Sequence, residues 1–115
     1  MFSMGDLIQR IVNAIIRQEG MGPTYFNPGN LRAAPWLVRP IIRDGFWQPS
    51  SRAQGIAGAA HVVALHIAEG NSLTQLINIW APESDGNDTP SYIKDVMEWA
   101  KIPNATDPLY TFLLS

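Results

Sequence analysis

The run from residue 6 to residue 20, Asp6-Leu-Ile-Gln-Arg-Ile-Val-Asn-Ala-Ile-Ile-Arg-Gln-Glu19-Gly20, carries the clearest structural signal in the chain. Leu7, Ile8, Ile11, Val12, Ile15 and Ile16 recur at i, i+1, i+4 and i+5. That spacing places one apolar stripe along an α-helix. Ser3 or Asp6 supplies an N-terminal cap. Gly20 is a natural stop, and Gly22-Pro23 cannot continue the helix. The helix therefore ends on Glu19. The negative end of the helix dipole disfavours a carboxylate there, and nearby Tyr25 and Phe26 would desolvate it. Both effects raise a carboxyl pKa, which is what a general acid at neutral pH needs. An ordinary solvated helix-end glutamate beside Arg17 is the competing reading.

From residue 21 to residue 50 no helical period survives. Asn27-Pro28-Gly29-Asn30 reads as a turn flanked by two amides. Those amides either hold the loop together as an Asx-type turn or offer donors and acceptors to sugar hydroxyls and N-acetyl groups. Trp36 to Arg39 and Ile41 to Arg43 are short β-like runs divided by Pro40, and Asp44-Gly45 is a hairpin pair. Two or three short strands are expected, with Trp36 and Trp47 the most exposed tryptophans. Trp47 is then available to line a sugar groove.

Helical signals return at 51–69, with Ile56, Ala60, Val63 and Ile67 facing inward. Its Gly55, Ala57, Gly58, Ala59 and Ala60 point to close packing against another helix. A third helix runs from Leu73 to Trp80, capped by Ser72 and closed by Ala81-Pro82. Thr89 is the expected cap of a fourth helix with Pro90 at its first position. Asp107-Pro108 opens a terminal helical turn. The outline is one domain over residues 1–115, α+β and predominantly helical, with a small β-hairpin lobe.

Composition narrows the chemistry. The chain has 115 residues, too few for a doubly wound dinucleotide domain or a (β/α)8 barrel, and no cysteine, which excludes disulfides, thiol nucleophiles and Cys-bound metal. His61 and His66 stand five apart, the wrong spacing for a helical zinc pair, so no metal and no cofactor is expected. A net charge of −2 argues against nucleic acid as a partner. The first 60 residues hold six arginines against three acids, while residues 81–115 hold two lysines against six acids. No run of apolar residues is long enough to insert across a membrane. The first twenty residues do not read as a signal peptide. Asp44 and Asp88 are candidates for a second carboxylate, although a hairpin turn and a helix cap explain them equally well.

In order and spacing, Glu19-Gly20, Asn27-Pro28-Gly29-Asn30-Leu31-Arg32, Trp80-Ala81-Pro82 and Asn87-Asp88-Thr89-Pro90-Ser91-Tyr92-Ile93 form a series. The series resembles the lysozyme-like domain of phage virion-associated and prophage peptidoglycan-degrading proteins, over roughly residues 10–102 of the chain. The resemblance implies a lysozyme-like fold related to muramidases and lytic transglycosylases. It implies Glu19 as the catalytic acid, and a sugar-groove role for Asn30, Tyr92, Asn27 and Asn87. The implied substrate is the peptidoglycan glycan strand, with phage virion components as further partners. The implied location is the cytoplasm until lysis, or the virion. With one glutamate the product would carry a 1,6-anhydro ring. With Asp44 or Asp88 activating water it would carry a reducing end. A non-catalytic phage structural module, or a wall- or saccharide-binding module that keeps the fold and lacks the chemistry, is the competing expectation.

Overall fold

The apolar stripe of residues 6–16 becomes the spine of the molecule. In a computed structural model that describes residues 1–20 and 26–114, helix α1 spans Met4–Glu19 and buries Leu7, Ile11, Val12, Ala14 and Ile15. The Ser3 hydroxyl accepts the Asp6 N–H at 3.1 Å, while Asp6 pairs with Arg10 at 2.9 Å. Ser3 is therefore the cap, and the Asp6 carboxylate is committed one turn onward. The helix stops at Gly20, whose φ of 67° lies in the left-handed region open to glycine. Gly22-Pro23 and Tyr25 lie outside the described residues.

Helix α2 spans Arg52–Ala68, α3 spans Leu73–Trp80 and α4 spans Thr89–Ala100. Ser72 and Gln75 close a reciprocal capping box at the start of α3. The start of α4 departs from expectation. Asp88 is the cap, accepting the Ser91 N–H at 3.3 Å, so Thr89 is the first helical residue and Pro90 the second. Short 3-10 turns follow α3 and close the chain, at Glu83–Asp85 and Leu109–Phe112. Helix α1 packs on α4 and α2, and α3 packs on α4. The main core lies between them, from Leu7, Ile11 and Ile15 through Val63, Leu76 and Ile77 to Val96 and Leu109.

The β-structure is smaller than the sequence promises. Strands β1 (Ile42–Arg43) and β2 (Phe46–Trp47) pair antiparallel, Ile42 opposite Trp47. Asp44 and Gly45 turn between them with φ of 52° and 80°, the two positive values that the Asp-Gly pair predicts. Residues 36–39 form no strand. The Leu37 N–H turns back to the Ala34 carbonyl at 3.0 Å, and Arg39 has a φ of 58°, so the extended run is broken before Pro40. The result is a mostly helical α+β fold with a two-stranded lobe.

That lobe has its own core of Leu31, Ala34 and Trp47, joined by Trp36 and Trp80. Trp36 meets Trp47 edge-on, with ring centres 5.7 Å apart. Trp47 is the largest fully buried side chain, at 1% exposure. The expectation of an exposed Trp47 is corrected: its ring has no open face for a sugar. The reason lies on α2, where a Cβ on Gly58 would strike the Trp47 ring. A Cβ on Gly55 would collide with the Phe26 carbonyl. The small residues at Gly55 and Gly58 thus admit the 26–27 backbone and the paired indoles, while Ala59 and Ala60 lie in the core that α2 shares with α1.

Candidate functional site at the end of the first helix

Glu19 stands half-buried at the last position of α1. What meets it is set by the turn at residues 27–30. The Asn30 N–H donates to the Asn27 carbonyl at 3.0 Å, closing a turn with Pro28 and Gly29 at its centre. Asn30 itself adopts a φ of 54°, a left-handed value that asparagine tolerates better than most residues. From there its side-chain Nδ2 donates to Glu19 Oε1 at 3.0 Å. The Asn30 Oδ1 is buried and has no partner among the described residues.

The two amides of this turn do different work. Asn27 is fully buried, at 0% exposure. Its Nδ2 donates to the Leu31 carbonyl at 2.8 Å and to the Trp47 carbonyl at 3.0 Å, and its Oδ1 accepts the Leu31 N–H at 3.0 Å. Both amide hydrogens and the amide oxygen are thus bonded within the protein. The expected groove role of Asn27 is therefore corrected: it ties the turn to β2. Gly29 secures the other side. Its carbonyl accepts the Trp80 indole N–H at 2.9 Å, and a Cβ there would press on the same indole at 3.1 Å. The turn is locked between α2, α3 and the hairpin, and Asn30 is the polar side chain it presents to Glu19.

Helix α4 supplies the third group. The Tyr92 hydroxyl is buried without a well-formed hydrogen bond to any described residue, yet it lies close to Glu19. Burial first, and the Glu19 carboxylate second, push its pKa far above the ordinary tyrosine value. Tyr92 therefore stays protonated across the physiological range. Two of the sequence candidates, Asn30 and Tyr92, thus converge on Glu19.

The others are placed otherwise. Asn87 donates its amide to the Pro82 carbonyl at 3.1 Å, bracing the loop between α3 and α4. Asp88 receives both the N–H and the hydroxyl of Ser91, the latter at 3.0 Å, in its capping role. Asp44 sits exposed in the hairpin turn.

Three contributors escaped the sequence reading. Thr89, 2% exposed, donates its hydroxyl to the Ala81 carbonyl at 2.6 Å and so binds the start of α4 to the end of α3. Trp80 holds Gly29, and Gly55 makes room for Phe26 and Asn27. The signal for the first two was present in the Trp80-Ala81-Pro82 and Asp88-Thr89-Pro90 clusters. Rigid residues there mark a corner where side chains must satisfy backbone groups.

The assembled site offers a carboxyl group, one amide donor already on it, an unfilled buried amide oxygen and a neutral phenol. Such a set suits proton exchange with a hydroxyl- and amide-rich ligand. No protein-family model matches the chain, and no curated protein and no solved structure matches it.

Proposed function

We propose that this chain is a peptidoglycan-degrading glycosidase that cleaves the β-1,4 bond between N-acetylmuramic acid and N-acetylglucosamine, with Glu19 as general acid and base. The observation that carries the reading is the convergence of Asn30 and Tyr92 on Glu19. Asn30 donates to Oε1 and so orients the carboxyl group; proton exchange with substrate is assigned to the second oxygen.

The chemistry then needs one carboxyl group. Protonated Glu19 gives its proton to the glycosidic oxygen as the C1–O bond breaks, and the N-acetylglucosamine side leaves as an alcohol. The resulting carboxylate takes the proton from the muramyl 6-hydroxyl. That oxygen bonds to C1, closing the 1,6-anhydro ring, and Glu19 is protonated again. No water is consumed. The Asn30 amide N–H holds Oε1 in place through both transfers. Its unpaired Oδ1 accepts an N–H or O–H from the sugar. Tyr92, held neutral, adds no second negative charge beside the carboxylate. Two positions favour this route over a water-activating one. Asp88 is engaged with Ser91, and Asp44 is placed by the geometry of its turn.

Glu19→Gln keeps the size of the side chain and an acceptor for Asn30 while removing the transferable proton. Clearance of purified cell walls should fall about 10²–10⁴-fold, with the melting temperature unchanged. Clearance at the wild-type rate would overturn the assignment. Mass spectrometry of the released muropeptides should find anhydro ends; reducing ends would move the mechanism to a carboxylate-activated water. Wall binding with no released product would identify a binding module.

A further inference from the structure

Between Gly20 and Ala68 the chain carries Arg32, Arg39, Arg43 and Arg52 against one acid, Asp44. Arg32 is engaged, lying 3.8 Å from Asp85 and over the Phe46 ring at 4.7 Å. Arg39 and Arg43 are exposed and make no ion pair or ring contact among the described residues. Interleaved with them are three aliphatic side chains directed outward: Val38 at 91% exposure, Ile41 at 58% and Ile42 at 45%. A cavity of about 460 Å³ opens beside them, lined in part by Leu37, Val38, Pro40 and Ile41 together with both arginines. The backbone beneath is held in place. Trp36 packs on Trp47, the Gln48 N–H reaches the Ile41 carbonyl at 2.8 Å, and Arg39 is kept at a φ that non-glycine residues seldom adopt.

Apolar residues of this size are seldom left in a cluster on a protein surface without an interaction to cover them. Unpaired guanidinium groups beside them select an anionic partner. A soluble acidic peptide or glycan seated in the cavity would cover its walls and leave Ile42, which lies outside that lining, in water. A lipid surface would cover the whole shoulder at once. We propose that residues 38–43 form a seat for an anionic phospholipid surface. Arg39 and Arg43 meet lipid phosphates. Val38, Ile41 and Ile42 enter the boundary between headgroups and acyl chains, and nothing crosses the bilayer. Asp44, in the adjoining turn, opposes this attraction, while the arginine excess of the surrounding stretch outweighs it. The proposal is independent of the chemistry assigned to Glu19.

The full chain is co-sedimented with vesicles of equal parts phosphatidylglycerol and phosphatidylcholine, and with vesicles of phosphatidylcholine alone. Binding to the mixed vesicles should exceed binding to the neutral ones and weaken as salt is added. Near an anionic surface each arginine contributes about fivefold in affinity, so Arg39→Ala with Arg43→Ala should lose about 25-fold. Val38→Ser with Ile41→Ser should lose about tenfold or more on the mixed vesicles. All four positions are exposed, so melting temperatures should hold. The lipid and salt comparisons on the unaltered chain decide the matter even if a variant misfolds. No binding, equal binding to both vesicle types, or arginine-dependent binding to soluble muropeptides without vesicle binding would each overturn the proposal.

Discussion

The two halves of this molecule are held together by opposite means. The helical part spreads its stability over many apolar contacts among four helices, from Leu7 to Leu109. The β-lobe has two strands of two residues each, too little to stand alone. It survives because a few groups do several jobs: the Trp47 ring, the Asn27 amide and the Trp80 indole N–H. The same few groups set where Asn30 stands relative to Glu19. The lesson is that half of the candidate site rides on a broad core and the other half on a narrow one.

That contrast can be broken at its narrowest point. Trp47→Ala should cost about 3–5 kcal/mol, since a buried indole leaves a cavity between glycine-faced α2 and the hairpin. Leu76→Ala, in the helical core, should cost a comparable about 2–5 kcal/mol. The two should part in function. Chemical denaturation and wall clearance measured together should show the Trp47 variant losing activity under conditions where it is still folded, and the Leu76 variant keeping it. Equal loss in both would dissolve the distinction.

Asn27→Ala comes next. It strands the buried Leu31 N–H and Trp47 carbonyl, a loss of about 3 kcal/mol. Because the turn then loosens around Asn30, clearance should drop further than for Asn87→Ala, whose amide only braces the Pro82 loop. Thr89→Val is smaller. It removes the hydroxyl that reaches the Ala81 carbonyl and should cost about 1–2 kcal/mol by thermal or urea melting.

The smallest expected effect concerns pH. Burial, opposed in part by Glu69, lowers the His66 pKa below its ordinary 6.5. The folded state therefore prefers the neutral ring, whose Nδ1 meets the Asn71 amide at 2.8 Å. Above the unfolded pKa both states hold a neutral ring and no penalty applies. As pH falls below 6.5 the unfolded chain takes up the proton first, so stability falls until the folded ring also titrates. Urea midpoints taken between about pH 7 and pH 5 should fall less steeply in His66→Gln than in the unaltered chain. Identical slopes would show that this histidine contributes nothing to the acid sensitivity of the helical part.

The helices were legible in the chain for a physical reason. Their signals are local: an apolar period, a serine cap at Ser3 or Ser72, and a glycine or proline stop. The Asp44-Gly45 turn was legible on the same ground, because both residues tolerate positive φ. Trp36 to Arg39 misled because β-favouring residue types do not fix a backbone: Trp36 packs on Trp47 and α2, the chain turns back at Leu37, and Val38 and Arg39 are exposed. The Asp88 and Thr89 roles were exchanged for a similar reason. Either residue caps a helix, and only the nearby Ala81 carbonyl draws the threonine away.

The amides of residues 27–30 mark the boundary most sharply. Residue order alone sets a turn there, since Pro28 and Gly29 allow little else, and it sets a carboxylate at the end of an amphipathic helix eight residues before. Which asparagine faces inward and which faces Glu19 is not a property of that short stretch. It follows from Gly55 and Gly58 yielding space on α2, from Trp47 filling it, and from Trp80 holding Gly29 by its carbonyl. Those partners lie 17 or more residues away along the chain. Local spacing carries the helix and the turn; only packing gives Asn27 to the core and Asn30 to the carboxyl group.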